Sequence, residues 1–408
     1  MIVHGQKLEW NARMSTIGVM LRFCRFYGLV LLALVGCQSP SQLPVSVTTM
    51  NTPPRFVLGI QPPPAQTSAP PVIVVAPPPP TNTIVAKPTP VWPSNWVNTW
   101  IPLQSWSQFN GIQKITQHGS NQAPAFDLHA SNAVMSLKVG SKVVRYNGLE
   151  CWLAYTPQMI KGKPYIYSLD AQKNLQPLLE STAYEFKTNR TVVIDPGHGG
   201  RDSGTRNVNG PNFEKEYTLD WALRLRGLLE SNGWKVVLTR TNDVDLSLTD
   251  RIGVAERVKA DLFISLHFNS GTPNRELAGL ETYCLTPTGM PSSLVRTYED
   301  DIKQSFPNNA FDEQNYQLAY RVHRELVQSL GVIDRGIRRA RFMSVLRGQN
   351  RPAVLIEGGY LSNPTEAKKI GTPHYRQALA EAIARAMESE TAEVAREPHE
   401  TVGKQARK

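Results

Sequence analysis

Four residues in the second half of the chain carry side chains able to hold a metal ion or move a proton: His198, Glu214, His267 and Glu357. His198 lies in "TVVIDPGHGG", among glycines and just after an apolar run; His267 closes "DLFISLH" and Glu357 closes "PAVLIE". Glu214 opens the segment "EKEYTLD". Each taken singly has a plain structural use. A histidine after a strand commonly serves as a hydrogen-bonded residue, and a glutamate opening a helix suits the helix dipole. Gly197, Gly199 and Gly200 make either a tight turn or a phosphate cradle that lacks the Lys-Ser/Thr of a P-loop. Taken together the four read differently. Two imidazoles and one carboxylate are the ligand set of a catalytic zinc site, which leaves the fourth tetrahedral position for water. The second carboxylate, Glu357, is then available as the base that takes the proton from that water.

Such a set works only if folding gathers it. From Arg190 to about Ser389 apolar runs alternate with helical periodicity, predicting strands at 191 to 195, 235 to 239, 262 to 266, 279 to 285 and 353 to 357. Helices are expected near 214 to 231, 247 to 259, 314 to 330 and 364 to 388, the first turning Leu219, Ala222, Leu223 and Leu229 toward the sheet. The last has Asn363 as its cap, Pro364 at the first helical position and Glu366 where a capping box places it. This alternation predicts an α/β fold with helices on both faces of the sheet. Residues at the carboxyl ends of its strands then share one edge, which is where His198, His267 and Glu357 fall.

At this point a family resemblance emerges. "VVIDPGHGG", "FEKEYTLD", "DLFISLHFNS", "GLETYCL" and "PAVLIEGGYLSNPTEAKKI", in that order, resemble the zinc-dependent N-acetylmuramoyl-L-alanine amidases of the amidase-3 type over about residues 190 to 388. The resemblance implies a phosphorylase/hydrolase-like mixed sheet and one Zn2+ held by His198, Glu214 and His267, with Glu357 catalytic. Glu216 is the nearby rival to Glu214, which occupies the Glu-Lys position of the motif. The implied reaction is hydrolysis of the amide between N-acetylmuramic acid and the L-alanine of the stem peptide, with peptidoglycan as partner. Asp195 is expected to support the turn or a ligand. Arg338 and Arg341, with Arg335 and Arg339 in "DRGIRRARF", are either a grip for stem-peptide carboxylates or a solvated basic face. The polar stretch after Leu285, with Glu299, Asp300 and Asp301, fits a loop lining the substrate groove. Some relatives carry an autoinhibitory helix there. His323 is expected mid-helix and solvated.

The rest of the chain sets the context. Of 408 residues 41% are hydrophobic, enough for a real core, while 16 of the 31 prolines crowd one early region. A net charge of +10 with no dense Lys/Arg block does not favour nucleic acid as a partner. Arg22 and Arg25 precede "FYGLVLLALVG", an apolar run of about ten residues, shorter than a bilayer span and suited to a signal peptide. It ends in Leu34-Val35-Gly36-Cys37, which resembles the lipobox of bacterial lipoproteins. That likeness implies a signal peptide at 1 to 36, lipid on Cys37 and a membrane anchor. With Gln38 next, it implies an outer-membrane address facing the periplasm. A basic region so far from Met1 also suits a start at Met14 or Met20.

Residues 37 to 95 include "QPPPAQTSAPPVIVVAPPPP" and read as an extended tether, at about 3 Å per residue. Residues 96 to 189 show short alternating runs with turn signals at Val139-Gly140-Ser141 and Asn147-Gly148, predicting a small β-rich stalk-type domain. Its Trp100, Trp106, Trp152 and Tyr155 serve either as core or as a glycan-stacking surface. Cys151 and Cys284 are either a disulfide or two separate buried thiols. Residues 389 to 408 are charged without apolar periodicity and read as a disordered tail. Two other functions stay open: a noncatalytic peptidoglycan-binding lipoprotein, which should have lost one of the four key residues, and a zinc peptidase cutting within the stem peptide. Whether an activator protein takes part is also open.

Overall fold

The parallel strands at the centre of the molecule are buried on both sides, so they are apolar throughout rather than alternating. In this computed structural model the described residues are 91–120, 122–180, 190–294 and 300–388. The expected signal peptide, Cys37, most of the proline-rich tether, Glu299 and the tail from 389 lie outside them.

The strands, in chain order, are β1 (Trp100–Pro102), β2 (Lys114–Ser120), β3 (Ala123–His129), β4 (Val134–Lys138), β5 (Val143–Tyr146), β6 (Leu149–Trp152), β7 (Gln158–Ile160), β8 (Lys163–Tyr167), β9 (Thr191–Pro196), β10 (Lys235–Leu238), β11 (Leu262–Asn269), β12 (Leu280–Cys284), β13 (Asp334–Arg339) and β14 (Ala353–Tyr360). The helices are α1 (Leu103–Phe109), α2 (Ser168–Asp170), α3 (Gln176–Leu179), α4 (Glu214–Ser231), α5 (Leu248–Arg257), α6 (Asp312–Leu330), α7 (Ser344–Arg347), α8 (Pro364–Ile370) and α9 (Pro373–Ala386).

Eleven strands form one mixed sheet in the order β10-β9-β11-β14-β12-β13-β6-β5-β4-β3-β2, and β1, β8 and β7 form a second, small sheet. Strands β10, β9, β11 and β14 are parallel, whereas β12 runs antiparallel to β14. Alternate side chains feed two cores. Val192, Ile194, Leu262, Ile264, Leu266, Val354 and Ile356 join α4, α6 and α9 on one face. Val193, Phe263, Ala353 and Leu355 join Ala255 of α5 and Val345 and Leu346 of α7 on the other. Each large apolar side chain fully buried in this way contributes about 1.5–3 kcal/mol. The expected α/β fold with helices on both faces is therefore present, preceded in the chain by a β-rich region.

That β-rich region shares the large sheet. β6 pairs parallel to β13 at Cys151 and Ile337, and the meander β6-β5-β4-β3-β2 continues outward from there. The described residues all belong to one compact unit. Asn147 and Gly148, at φ 50° and 85°, make the tight turn between β5 and β6. Trp106 is wholly buried, and Trp100 packs edge-on against Tyr167. Trp152 lies beneath the Arg338 guanidinium, and the Tyr155 hydroxyl donates to the Gly289 carbonyl. Cys151 and Cys284 are separate buried thiols, and burial pushes the Cys151 thiol up to about 12.

Several local expectations are corrected. On α4 the core face is Tyr217, Trp221, Ala222, Leu225 and Leu229, while Leu223 points outward. The helix expected over 364 to 388 is two helices, because Thr372 caps a new start and Pro373 cannot continue the old one. Asn363 does cap α8, accepting from the Thr365 and Glu366 amides, but the Glu366 carboxylate accepts from the amides of Gly279 and Tyr360 instead of completing a capping box. Among the described residues no helix is long and apolar enough to cross a membrane.

Candidate metal centre

The register of the sheet begins the site. In the parallel pair β11 and β14, His267 lies beside Glu357, so both side chains reach the same carboxyl edge. β9 ends at Pro196 next to Leu266, and the chain then turns through Gly197 and His198. His198 adopts φ 62°, a left-handed conformation uncommon for a residue with a side chain. Gly197 is required by contact: a Cβ there would lie 2.3 Å from the His267 ring. Gly199, at φ 131°, is held by the next loop, since a Cβ would fall 2.4 Å from the Val244 carbonyl. The glycines therefore let one loop and one imidazole close over the strand end.

Glu214, the first residue of α4, supplies the third group. One nitrogen or oxygen from each of His198, Glu214 and His267 lies within 4.8 Å of the other two. His198 Nε2 and His267 Nδ1 are each 3.0 Å from Glu214 Oε1. The amides of Phe268 and Thr205 donate to the two oxygens of this carboxylate, which fixes its orientation. Burial alone would push the Glu214 carboxyl up, but the hydrogen bonds from His198 and His267 outweigh it and hold the group well below the usual range. The ring of His198 is oriented from behind by Asp202, with Nδ1 2.9 Å from Oδ2. Burial lowers its pKa, and the contacts with Glu214 and Asp202 bring the net value above the ordinary one. Two imidazoles and an ionised carboxylate meeting at one point can hold a divalent metal. Glu216 is settled as a different kind of residue: it is exposed and accepts from the Phe213 amide at the helix start.

Glu357 stands beside this cluster without joining it. Its Oε2 is buried and has no hydrogen-bond partner among the described residues. Burial, then the charges of Glu214 and Glu281, push its carboxyl well above the ordinary range. An orphaned carboxylate oxygen facing a donor cluster fits a group whose partner arrives with metal and substrate.

The turn that carries His198 is held from beneath. Asp195 is buried and accepts from Thr239 Oγ1 at 2.6 Å, Ser265 Oγ at 2.8 Å and Arg251 Nη1 at 2.7 Å. Arg251 also donates to the carbonyls of Pro196 and His198. Arg240 grips the carbonyls of Pro196, Gly197 and Lys215, and Lys215 reaches the Gly200 carbonyl. Asp195 thus supports the turn, as expected from its place in the motif. Arg240, Arg251 and Asp202 were not legible as site residues, because Arg240 and Asp202 lie between elements and Arg251 on α5, none of them closing an apolar run.

Glu281 is a further buried carboxylate that the residue pattern did not single out. It pairs with Glu357 across β12 and β14. Asn269, Tyr283, Arg335 and Tyr360 all donate to it, and Arg338 lies 3.4 Å away. The only signal in the sequence is a glutamate within the apolar run "GLETYCL".

The arginines of "DRGIRRARF" require a correction. Arg338 and Arg341 are not at the substrate surface: they are 4% and 2% exposed. Arg338 faces Glu281 and the Trp152 ring, while Arg341 donates to the carbonyls of Gln304, Pro287 and Met290. Arg338 lies in β13, a strand hidden by its charges, in which Arg339 is also buried and bonded to Asn174 and Leu285, and Arg341 follows two residues after the strand ends. His323 is likewise buried rather than solvated, with Thr282 at 3.0 Å and Asp334 at 2.8 Å joining α6 to the sheet. In the stretch after Leu285, Asp300 accepts from the Ser292 amide, and a short 3-10 turn spans Pro307–Phe311.

Fold and site together define a mixed-sheet α/β protein with two imidazoles and a carboxylate converging at the carboxyl edge and a free carboxylate alongside. Residues 192–389 match the family described as N-acetylmuramoyl-L-alanine amidase. Amidase AmiA of Escherichia coli is 33% identical over 218 residues, covering 48% of this chain and 74% of that protein. The sporulation-specific N-acetylmuramoyl-L-alanine amidase of Bacillus subtilis is 36% identical over 199 residues, covering 48% of this chain and 66% of that one. Among solved structures, the catalytic domain of the amidase CwlV from Bacillus (Paenibacillus) polymyxa var. colistinus is 32% identical, with a TM-score of 0.40, covering 50% of this chain and 98% of that one. The chain belongs to the N-acetylmuramoyl-L-alanine amidase family.

Proposed function

We propose that this chain is a zinc-dependent hydrolase of peptidoglycan that cleaves the amide between N-acetylmuramic acid and the L-alanine of the stem peptide. The observation that carries the reading is the convergence of His198, Glu214 and His267 with Glu357 in register beside them. The family to which the chain belongs supplies the bond. Zinc suits the donor set because two neutral imidazoles and one carboxylate leave a tetrahedral position open.

An amide has a weakly electrophilic carbonyl and a poor leaving group, so the site must supply both activation and a proton. Bound zinc would polarise the carbonyl oxygen and bring water toward a pKa of about 7. Glu357 takes the proton from the attacking water at a carboxylate oxygen and delivers it to the departing alanine nitrogen. A carboxyl whose surroundings favour the protonated form is suited to holding that proton between the two transfers. Asp202 and the amides of Thr205 and Phe268 keep His198 and Glu214 in place, so little reorganisation is needed on binding. Metal content tests the site directly. The isolated chain is expected to bind one zinc, to lose hydrolysis of sacculi on chelation and to regain it with added zinc. A His267→Ala chain should bind zinc at least about 10–100-fold more weakly. Full activity after verified metal removal would overturn the metal assignment.

The same reading puts the chain in the cell envelope, anchored at the outer membrane and facing the periplasm through lipid on Cys37. Its support is the run ending in Leu34-Val35-Gly36-Cys37 and the proline-rich tether that follows. Cys37→Ala should shift the protein from the membrane to the soluble fraction; retention at the membrane would refute the anchor.

A further inference from the structure

We infer that the groove carrying Arg206 and Arg275, beside the metal centre, is the subsite for the anionic stem peptide and that these two guanidinium groups read its free carboxylates. This rests on the proposed peptidoglycan substrate. The groove is an open one of about 500 Å3, within the usual range for a ligand site. Its walls come from the three loops that leave the carboxyl ends of the strands bearing the site. Thr205, Arg206 and Asn207 follow His198, Thr272 and Arg275 follow His267, and Ser362 follows Glu357. The groove is also joined to the metal centre by one hydrogen bond, from the Thr205 amide to Glu214 Oε2 at 3.0 Å.

The frame is built and tied. The Gly271 amide donates to Ser362 Oγ at 2.8 Å, and Asn363 Nδ2 donates to the Arg275 carbonyl at 3.0 Å. The Asn207 side chain donates to Tyr217 and to the Ala367 carbonyl, and the Val208 amide to the Leu361 carbonyl. On this fixed backbone Arg206 and Arg275 are exposed, and neither guanidinium has a carboxylate partner among the described residues. Arg240, Arg251, Arg338, Arg339 and Arg341 are by contrast buried and committed to protein groups. Among the described residues no acidic side chain lines the groove. Two unpartnered guanidiniums in a polar cleft select an anion, and their planar donors match carboxylates. Of the two halves of the substrate, the N-acetylated glycan has its lactyl carboxyl tied up in the scissile amide and is uncharged. The stem peptide retains free carboxylates. The groove therefore takes the peptide.

The test compares the full chain with an R206Q/R275Q double variant. The probes are disaccharide-peptide with free stem carboxylates, the same compound with those carboxylates amidated, and the free stem peptide. The expected result is a KM about tenfold higher for the variant on the carboxylate substrate, with the loss confined to KM, and little difference between the proteins on the amidated one. Calorimetry should show the same ratio for binding of the free stem peptide. Equal KM and equal peptide affinity in the two proteins would overturn the inference, as would an equal loss on both substrates. Arginine-dependent peptide binding by a chain that hydrolyses neither substrate would uphold the subsite and sink the amidase reading instead.

Discussion

Glu357→Gln is expected to retain one zinc per chain and to lose about 10²–10⁴-fold in kcat, the range for removal of a positioned acid or base. The glutamine matches the glutamate in shape, and the residue is not one of the three converging donors, so metal binding has no reason to fall. What disappears is a group able to take and return a proton. The native carboxyl is pushed up by burial and by the charges of Glu214 and Glu281, with one oxygen unpaired, so its ionised form is disfavoured where it stands. The amide is nearly isosteric with the carboxylate, so the thermal midpoint of the variant should hold steady, which separates lost chemistry from lost folding. Activity above about a tenth of the native value would remove Glu357 from the mechanism.

Asp195→Ala is expected to cost about 3–5 kcal/mol of stability, the range for removing one partner of a buried ion pair. Asp195 is 1% exposed and Arg251 5% exposed, so the substitution strands a guanidinium inside the protein and unpairs the Thr239 and Ser265 hydroxyls as well. Because Arg251 also holds the carbonyls of Pro196 and His198, the damage reaches His198, one of the proposed metal ligands. Asp195→Asn keeps the shape and part of the hydrogen bonding, so it should fall between the two. Denaturant unfolding of the three proteins checks this order, and a loss below about 1 kcal/mol for the alanine variant would show that the pair carries little weight.

The site was more legible in the sequence than the structure around it. His198, His267 and Glu357 stand at the ends of apolar runs, and in a parallel sheet such ends converge, so three of the four key residues followed from strand polarity. Glu214 over Glu216 did not follow from spacing; burial of one and exposure of the other separates them. Strand β13 was missed because three of its six residues are arginines, a composition that normally signals solvent. Inside this fold they are satisfied by Glu281, Asn174 and main-chain carbonyls. The same blindness left Arg338 and Arg341 open as either a grip for stem-peptide carboxylates or a solvated basic face, whereas both are buried and bonded within the protein. Sequence patterns report burial of apolar side chains well. They do not report which charges find partners, since those partners come from elements far apart in the chain.

Which bond is cut decides the proposed function, and mass spectrometry of the products released from intact sacculi by the zinc-loaded chain reads it out. The predicted result is release of stem peptides with L-alanine as their free amino terminus, beside glycan strands of undiminished length, and no such release with Glu357→Gln. Fragments cut within the stem peptide, with alanine still joined to muramic acid, would contradict it.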